Sequence, residues 1–106
     1  MTQYLLVMTT VPDIDVGKII AEKIIEERLA ACVTLQAASQ SLYRWKGKIT
    51  QDQEHTLYFK TKKEAYPKLE EKIRGIHPYD VPEIIALPIL TGSKDYLGWI
   101  DSETQA

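Results

Sequence analysis

One short run, His77-Pro78-Tyr79-Asp80-Val81-Pro82-Glu83, gathers the groups best able to do chemistry: an imidazole, a phenol and two carboxylates. Its two prolines fix their own φ and bias the residues before them, His77 and Val81, to extended backbone. A stiff segment carrying polar side chains suits a site. The plainer reading is a rigid connection with solvated side chains. As a metal ligand His77 needs partners. Asp80 and Glu83 are near in sequence, and Cys32 or Met8 come near through the fold. No His-x-x-x-His or Cys-x-x-Cys spacing occurs. From the residues alone, a histidine bonded to a helix-terminal carbonyl is the better account. His55, set among Gln51, Asp52, Gln53 and Glu54, reads as a solvated strand residue.

Cys32 lies between Ala31 and Val33 and reads as a small core hydrophobe. A nucleophilic thiol needs a base and a lowered pKa, and nothing around Cys32 marks either. Lys60 sits between Phe59 and Thr61 in strand-like sequence. If partly buried it needs a carboxylate, and Glu83 is the expected partner; the alternative is an ammonium reaching out past the sheet edge. Tyr43, Trp45, Tyr58, Tyr79, Tyr96 and Trp99 are dense for so short a chain. Aromatics on a sheet can stack bases, but the glycine-aromatic signature of RNA-recognition domains is missing. Packing across a subunit interface is the expected use. Thr9-Thr10-Val11-Pro12-Asp13 has no Gly-rich, Arg-bearing phosphate cradle, which argues against acylphosphatase chemistry.

The elements that must hold these residues follow from periodicity. Tyr4–Thr10 reads as a buried strand. A helix is expected over about 14–29, with Val16, Ile20 and Ile24 on its apolar face and Asp13 or Asp15 as cap. Ala31–Leu35 and Ser41–Trp45 are strand-like. In the latter, Ser41, Tyr43 and Trp45 share one face, and Leu42 and Arg44 the other. Lys46-Gly47 reads as a hairpin turn with positive φ at Gly47. The return strand runs from Ile49 through Thr61, with a bend or bulge expected near 36–40 and near 51–53. A second helix is expected over about 63–74, with Pro67 in its first turn and Gly75 at C′. Ile84–Leu90 reads as a strand whose Pro88 points to an edge or bulge. Tyr96, Leu97, Trp99 and Ile100 are the apolar positions of a short terminal piece. The order β-α-β-β-α-β predicts an α+β, ferredoxin-like split β-α-β domain, with an antiparallel sheet and both helices on one face.

At 106 residues the chain is expected to form a single domain, 1–106. Its apolar fraction of 44% and charged fraction of 26% are those of an ordinary globule. A net charge of −2 argues against a nucleic-acid footprint. No apolar run approaches a membrane span. Met1-Thr2-Gln3-Tyr4 lacks a basic n-region, so no signal peptide is expected. With Cys32 alone no internal disulfide forms, and the expected location is cytoplasmic. Both faces of the first and last strands are apolar. Tyr4, Leu6 and Met8 alternate with Leu5 and Val7, while Ile84, Ala86 and Leu90 alternate with Ile85, Leu87 and Ile89. Two helices cover one sheet face only, so the other is expected to be buried against copies of the same chain. The alternative is cover by the C-terminal tail with Trp99.

Taken together, several stretches resemble the CutA divalent-cation-tolerance family. They are Thr9-Thr10-Val11-Pro12-Asp13, Glu27-Arg28-Leu29-Ala30-Ala31-Cys32-Val33, Ser41-Leu42-Tyr43-Arg44-Trp45-Lys46-Gly47-Lys48-Ile49, Lys60-Thr61, His77 to Ile84, and Asp95-Tyr96-Leu97-Gly98-Trp99. The resemblance implies a ferredoxin-like subunit in a tight homotrimer, architecturally similar to PII signalling trimers, and no reaction. It implies that Tyr43, Trp45, Lys60, Tyr79, Glu83 and Trp99 lie near a ligand-binding or metal-binding cleft at the subunit boundary. Some members bind copper through a thiol at the end of the first strand and a His pair before Pro-Tyr. Here Met8 stands at the thiol position and Ile76-His77 at the pair, leaving Met8 and His77 as metal candidates. A thioether holds Cu(I) better than Cu(II). The leading expectation is a non-enzymatic trimer linked to divalent-metal, chiefly copper, tolerance. The alternative is a PII-like regulatory trimer binding a small anionic metabolite, with Lys60, Arg44 and Lys48 supplying charge. An enzyme using Glu83, Lys60 and His77 as acid–base groups is the third reading, and no spacing specifies its reaction.

Overall fold

The computed structural model describes residues 3–105. Met1, Thr2 and Ala106, and with them the first two positions of the N-terminal reading, lie outside the described residues. Five strands and three helices follow in the order β1 (Tyr4–Val11), α1 (Ile14–Glu26), β2 (Cys32–Leu35), β3 (Ser39–Trp45), β4 (Lys48–Lys62), α2 (Tyr66–Ile76), β5 (Ile85–Pro88) and α3 (Lys94–Glu103). A 3₁₀ turn, Lys63–Ala65, leads into α2. The sheet order is β2-β4-β1-β5, every pairing is antiparallel, and β3 pairs with the far half of β4.

The period-2 pattern of the strands sets the two faces of the sheet. Val7, Thr9 and Val11 of β1 and Leu57, Phe59 and Thr61 of β4 are fully buried. The apolar members of that set form one core with Ile20 and Ile24 of α1 and Leu69 and Ile73 of α2. Both helices therefore cover one face, as the split β-α-β reading requires. Gly17 lets α1 approach closely: a Cβ there would meet Leu57 Cδ1 and Val11 Cγ2 at 3.2 Å.

Local signals place the ends of the elements, and three differ from expectation. Asp13 is the cap of α1, its Oδ1 accepting from Val16 N at 2.9 Å. The helix stops at Glu26 rather than Leu29, because Arg28 takes φ +58°. Leu29 N then donates to Ile24 O and Arg28 N to Ile25 O, both at 3.0 Å, the paired bonds of a Schellman ending with arginine where glycine is usual. Gly75 lies within the last turn of α2; His77, held extended ahead of Pro78, ends that helix instead. β5 is shorter than expected and forms the sheet edge, with Pro88 as its last residue.

The terminal piece is a helix. α3 is capped by Ser93, whose Oγ accepts from Tyr96 N, and it buries Ile100 completely. Arg28 holds its far end: Nη2 donates to Ser102 O at 2.7 Å and Nε to Glu103 O at 3.3 Å, while Gln105 N donates to Arg28 O at 2.8 Å. A guanidinium here satisfies carbonyls that a helix end leaves open. Arg28→Ala is therefore expected to cost about 1 kcal/mol and to raise amide exchange across 97–105. Unchanged exchange there would show that α3 is anchored without the guanidinium.

A one-residue slip in the long hairpin decides which side chains reach the open face. Leu35 pairs with Leu57, and Ser39 with Glu54. Between those pairs the chain advances four residues on one strand and three on the other. The extra residue falls in 36–38, the first of the two expected positions, whereas β4 stays in continuous register through 51–53. Because side chains alternate, one inserted residue reverses the faces. Ser41, Tyr43 and Trp45 thus share the open face with Asp52 and Glu54.

That open face is apolar and largely bare. Tyr4, Leu6, Met8 and Tyr58 are half-buried, and Ile85 and Leu87 are each 47% exposed. α3 meets the Lys60–Lys62 end of β4, where Lys62 pairs with Asp101 at 3.4 Å. It leaves Ile85 and Leu87 uncovered. Among the described residues no helix is long and apolar enough to cross a membrane.

Candidate functional site

At the base of the hairpin, β3 and β4 meet the 78–83 loop and the end of β1 around a concavity of about 740 Å³. Tyr43, Trp45, Tyr79 and Glu83, four of the expected site residues, line it together. Leu42, Pro78 and Val81 add apolar wall, and Asp52, Glu54 and Asp80 add three more carboxylates. Among the described residues no lysine or arginine lines it. The tyrosines tether the carboxylates: Tyr79 OH donates to Glu54 Oε2 at 2.9 Å, and Tyr43 OH donates to Asp52 Oδ2. The Asp52 bond raises the Tyr43 pKa. Burial first, and the Glu54 bond second, push the Tyr79 phenol well above its usual range. Both phenols are protonated donors at neutral pH.

His77 positions the loop. It is 8% exposed. Its Nε2 lies 2.8 Å from Thr10 O, and Tyr79 N lies 3.1 Å from its Nδ1. A carbonyl only accepts and an amide N–H only donates, so the proton is on Nε2 and Nδ1 is the acceptor. Burial lowers the His77 pKa, against the opposing pull of Thr10 O and of Glu54. The ring is therefore neutral near pH 7, ties β1 to the loop, and sits 4.8 Å from the Tyr79 ring. The expected helix-terminal carbonyl partner is instead a strand carbonyl.

Lys60 and Trp99 lie apart from this concavity within one chain. Lys60 is six residues along β4 from Glu54, about 20 Å at strand rise. Its Nζ lies 4.0 Å from Cys32 Sγ and 5.8 Å from the Tyr96 ring centre, and Tyr96 packs on Trp99 at 5.6 Å. The expected Lys60–Glu83 pair does not form. Met8 lies on the open face in register with Tyr58 and Ile85. Among the described residues, no three His, Cys, Asp or Glu side chains gather as metal ligands.

Glu54 and Asp52 are the site residues that sequence reading missed. Their signal was present in part: two carboxylates at i and i+2 on a strand share a face. Which face, and that Tyr79 meets Glu54 across 25 residues of chain, depended on the register of β4 against β1.

The chain is similar to proteins of one family along almost its whole length. The profile of the "CutA1 divalent ion tolerance protein" family matches residues 5–103. The "Divalent-cation tolerance protein CutA" of Thermus thermophilus is 48% identical over 98 residues, 92% of this chain and 95% of that protein. "Protein CutA, chloroplastic" of Arabidopsis thaliana is 43% identical over 101 residues, which span 95% of this chain and 56% of that longer protein. The crystal structure of CutA1 from Shewanella sp. SIB1 superposes with a TM-score of 0.96 at 39% identity, covering 99% of this chain and 98% of that one. With the β-α-β-β-α-β order, the hairpin and the loop after α2 all in place, the chain belongs to the CutA1 divalent ion tolerance protein family.

Proposed function

We propose that this chain works as a homo-oligomer, a trimer by its resemblance, in the response of the cytoplasm to divalent cations, and catalyses no reaction of its own. The carrying observation is the apolar sheet face that α3 leaves bare, with Ile85 and Leu87 each 47% exposed. Such a patch beside an unpaired edge strand needs a partner, and further copies of the chain supply one.

Copper ligation by Met8 and His77 does not fit the donors as folded. Both nitrogens of His77 are engaged, so binding a metal there means giving up either Thr10 O or the Tyr79 amide. Cations are drawn instead toward the concavity, where Asp52, Glu54, Asp80 and Glu83 concentrate negative charge without converging, among the described residues, as a set of metal ligands. The same charge works against an anionic metabolite in this place. Within one chain Arg44, Lys48 and Lys60 do not line it.

Light scattering with titration calorimetry tests both halves, using Zn(II), Cu(II) and Cu(I) on the wild type, Glu54→Gln and His77→Ala. A three-chain mass is expected, with metal binding weakened by Glu54→Gln. A monomer at low micromolar concentration overturns the assembly. Copper binding abolished by His77→Ala and untouched by Glu54→Gln moves the metal to the His77 site.

A further inference from the structure

Resting on the reading of the chain as a homo-oligomer, we infer that Lys60 of one copy pairs with Glu83 of the next, so that the concavity is completed across the subunit boundary. A partly buried ammonium needs a carboxylate. Lys60 is half-buried, and its Nζ lies 4.0 Å from Cys32 Sγ and 5.8 Å from the Tyr96 ring centre. The ion pairs among the described residues are Lys62–Asp101, Lys72–Glu27 and Arg74–Glu70, so within one chain no carboxylate answers it. Glu83 takes part in none of those pairs either, and it is exposed where it lines the concavity.

The two groups stand at opposite ends of the open sheet face. Lys60 is in register with Leu6, and Leu6 with Leu87. Glu54 is six residues back on β4, an even number, so it shares that face and opens on the concavity. Between the ends lies the row of Met8, Tyr58 and Ile85. One apolar face thus carries an ammonium at one end and carboxylates at the other. Copies that bring unlike ends together match charge as well as apolar surface. Such a contact, repeated from copy to copy, closes into a ring. The apolar strip keeps water from the pair and strengthens it. It offsets one of the four carboxylate charges, so the concavity stays negative.

The test is light scattering over a dilution series of the full chain, with circular dichroism confirming the fold. Lys60→Glu and Glu83→Lys each set like charges against each other across the boundary. Each should raise the dissociation constant of the assembly at least about 100-fold. The double variant restores an opposite pair and should assemble within about tenfold of the wild type. Lys18→Glu, on the exposed side of α1, should leave assembly unchanged. Glu83 is exposed, so Glu83→Lys stays decisive if Lys60→Glu does not fold. Wild-type mass at low micromolar concentration in either single variant overturns the pair and leaves the oligomer reading intact. A double variant that assembles no better than the weaker single variant also overturns the pair, because the two losses are then independent. A monomeric wild type overturns both.

Discussion

A single carboxylate on the open sheet face, Leu87→Asp, is expected to split the assembly into monomers. Leu87 pairs with Leu6 on the edge strand β5, beside the Ile85–Met8 pair. In one chain it is half in water, so aspartate there stays solvated and the fold loses little. In the proposed assembly the same position would be buried against another apolar face, and the charge would have no partner. An unpaired buried charge costs several kcal/mol, so the dissociation constant should rise at least about 100-fold. Light scattering across a dilution series reads this directly, with circular dichroism confirming a native fold. Leu87→Ile should keep the wild-type mass. If Leu87→Asp kept it too at low micromolar concentration, the interface would lie elsewhere.

The second large effect is the pH response of His77. Its folded pKa is lowered, chiefly by burial, while the unfolded chain titrates near about 6.5. As pH falls through that value the unfolded chain takes the proton first. Stability from this residue is thus complete above about pH 6.5 and declines as pH falls toward the folded pKa. Protonation also places a hydrogen on Nδ1, facing the Tyr79 N–H that now donates to it. His77→Ala leaves Thr10 O and Tyr79 N unpaired and should cost about 2–4 kcal/mol at neutral pH. The variant should also lose the part of the decline seen as pH falls below about 6.5. Denaturant unfolding at fixed chain concentration measures both, since stability and assembly are linked. An unchanged slope in the variant would assign the acid response to other groups.

Sequence by itself determined the element order, the helix-covered face and the turn at Lys46-Gly47, whose φ of +50° and +78° are those of a tight hairpin. It narrowed the cap of α1 to Asp13 or Asp15 and the place of Pro88 to an edge or a bulge, and the fold chose Asp13 and the edge. It also carried the family resemblance, because the matching residues are contiguous stretches. These features rest on contacts within a few residues, where propensity and periodicity act. Tertiary structure decided the rest. Arg28 ends α1 in a left-handed conformation while its guanidinium binds α3, 74 residues later. His77 finds its carbonyl at Thr10, 67 residues earlier. The residue inserted at 36–38 turns Tyr43 and Trp45 toward Glu54, and the length of β4 keeps Lys60 away from Glu83. Local rules do not fix strand register, because a shift of one residue leaves every local preference almost unchanged and reverses every face.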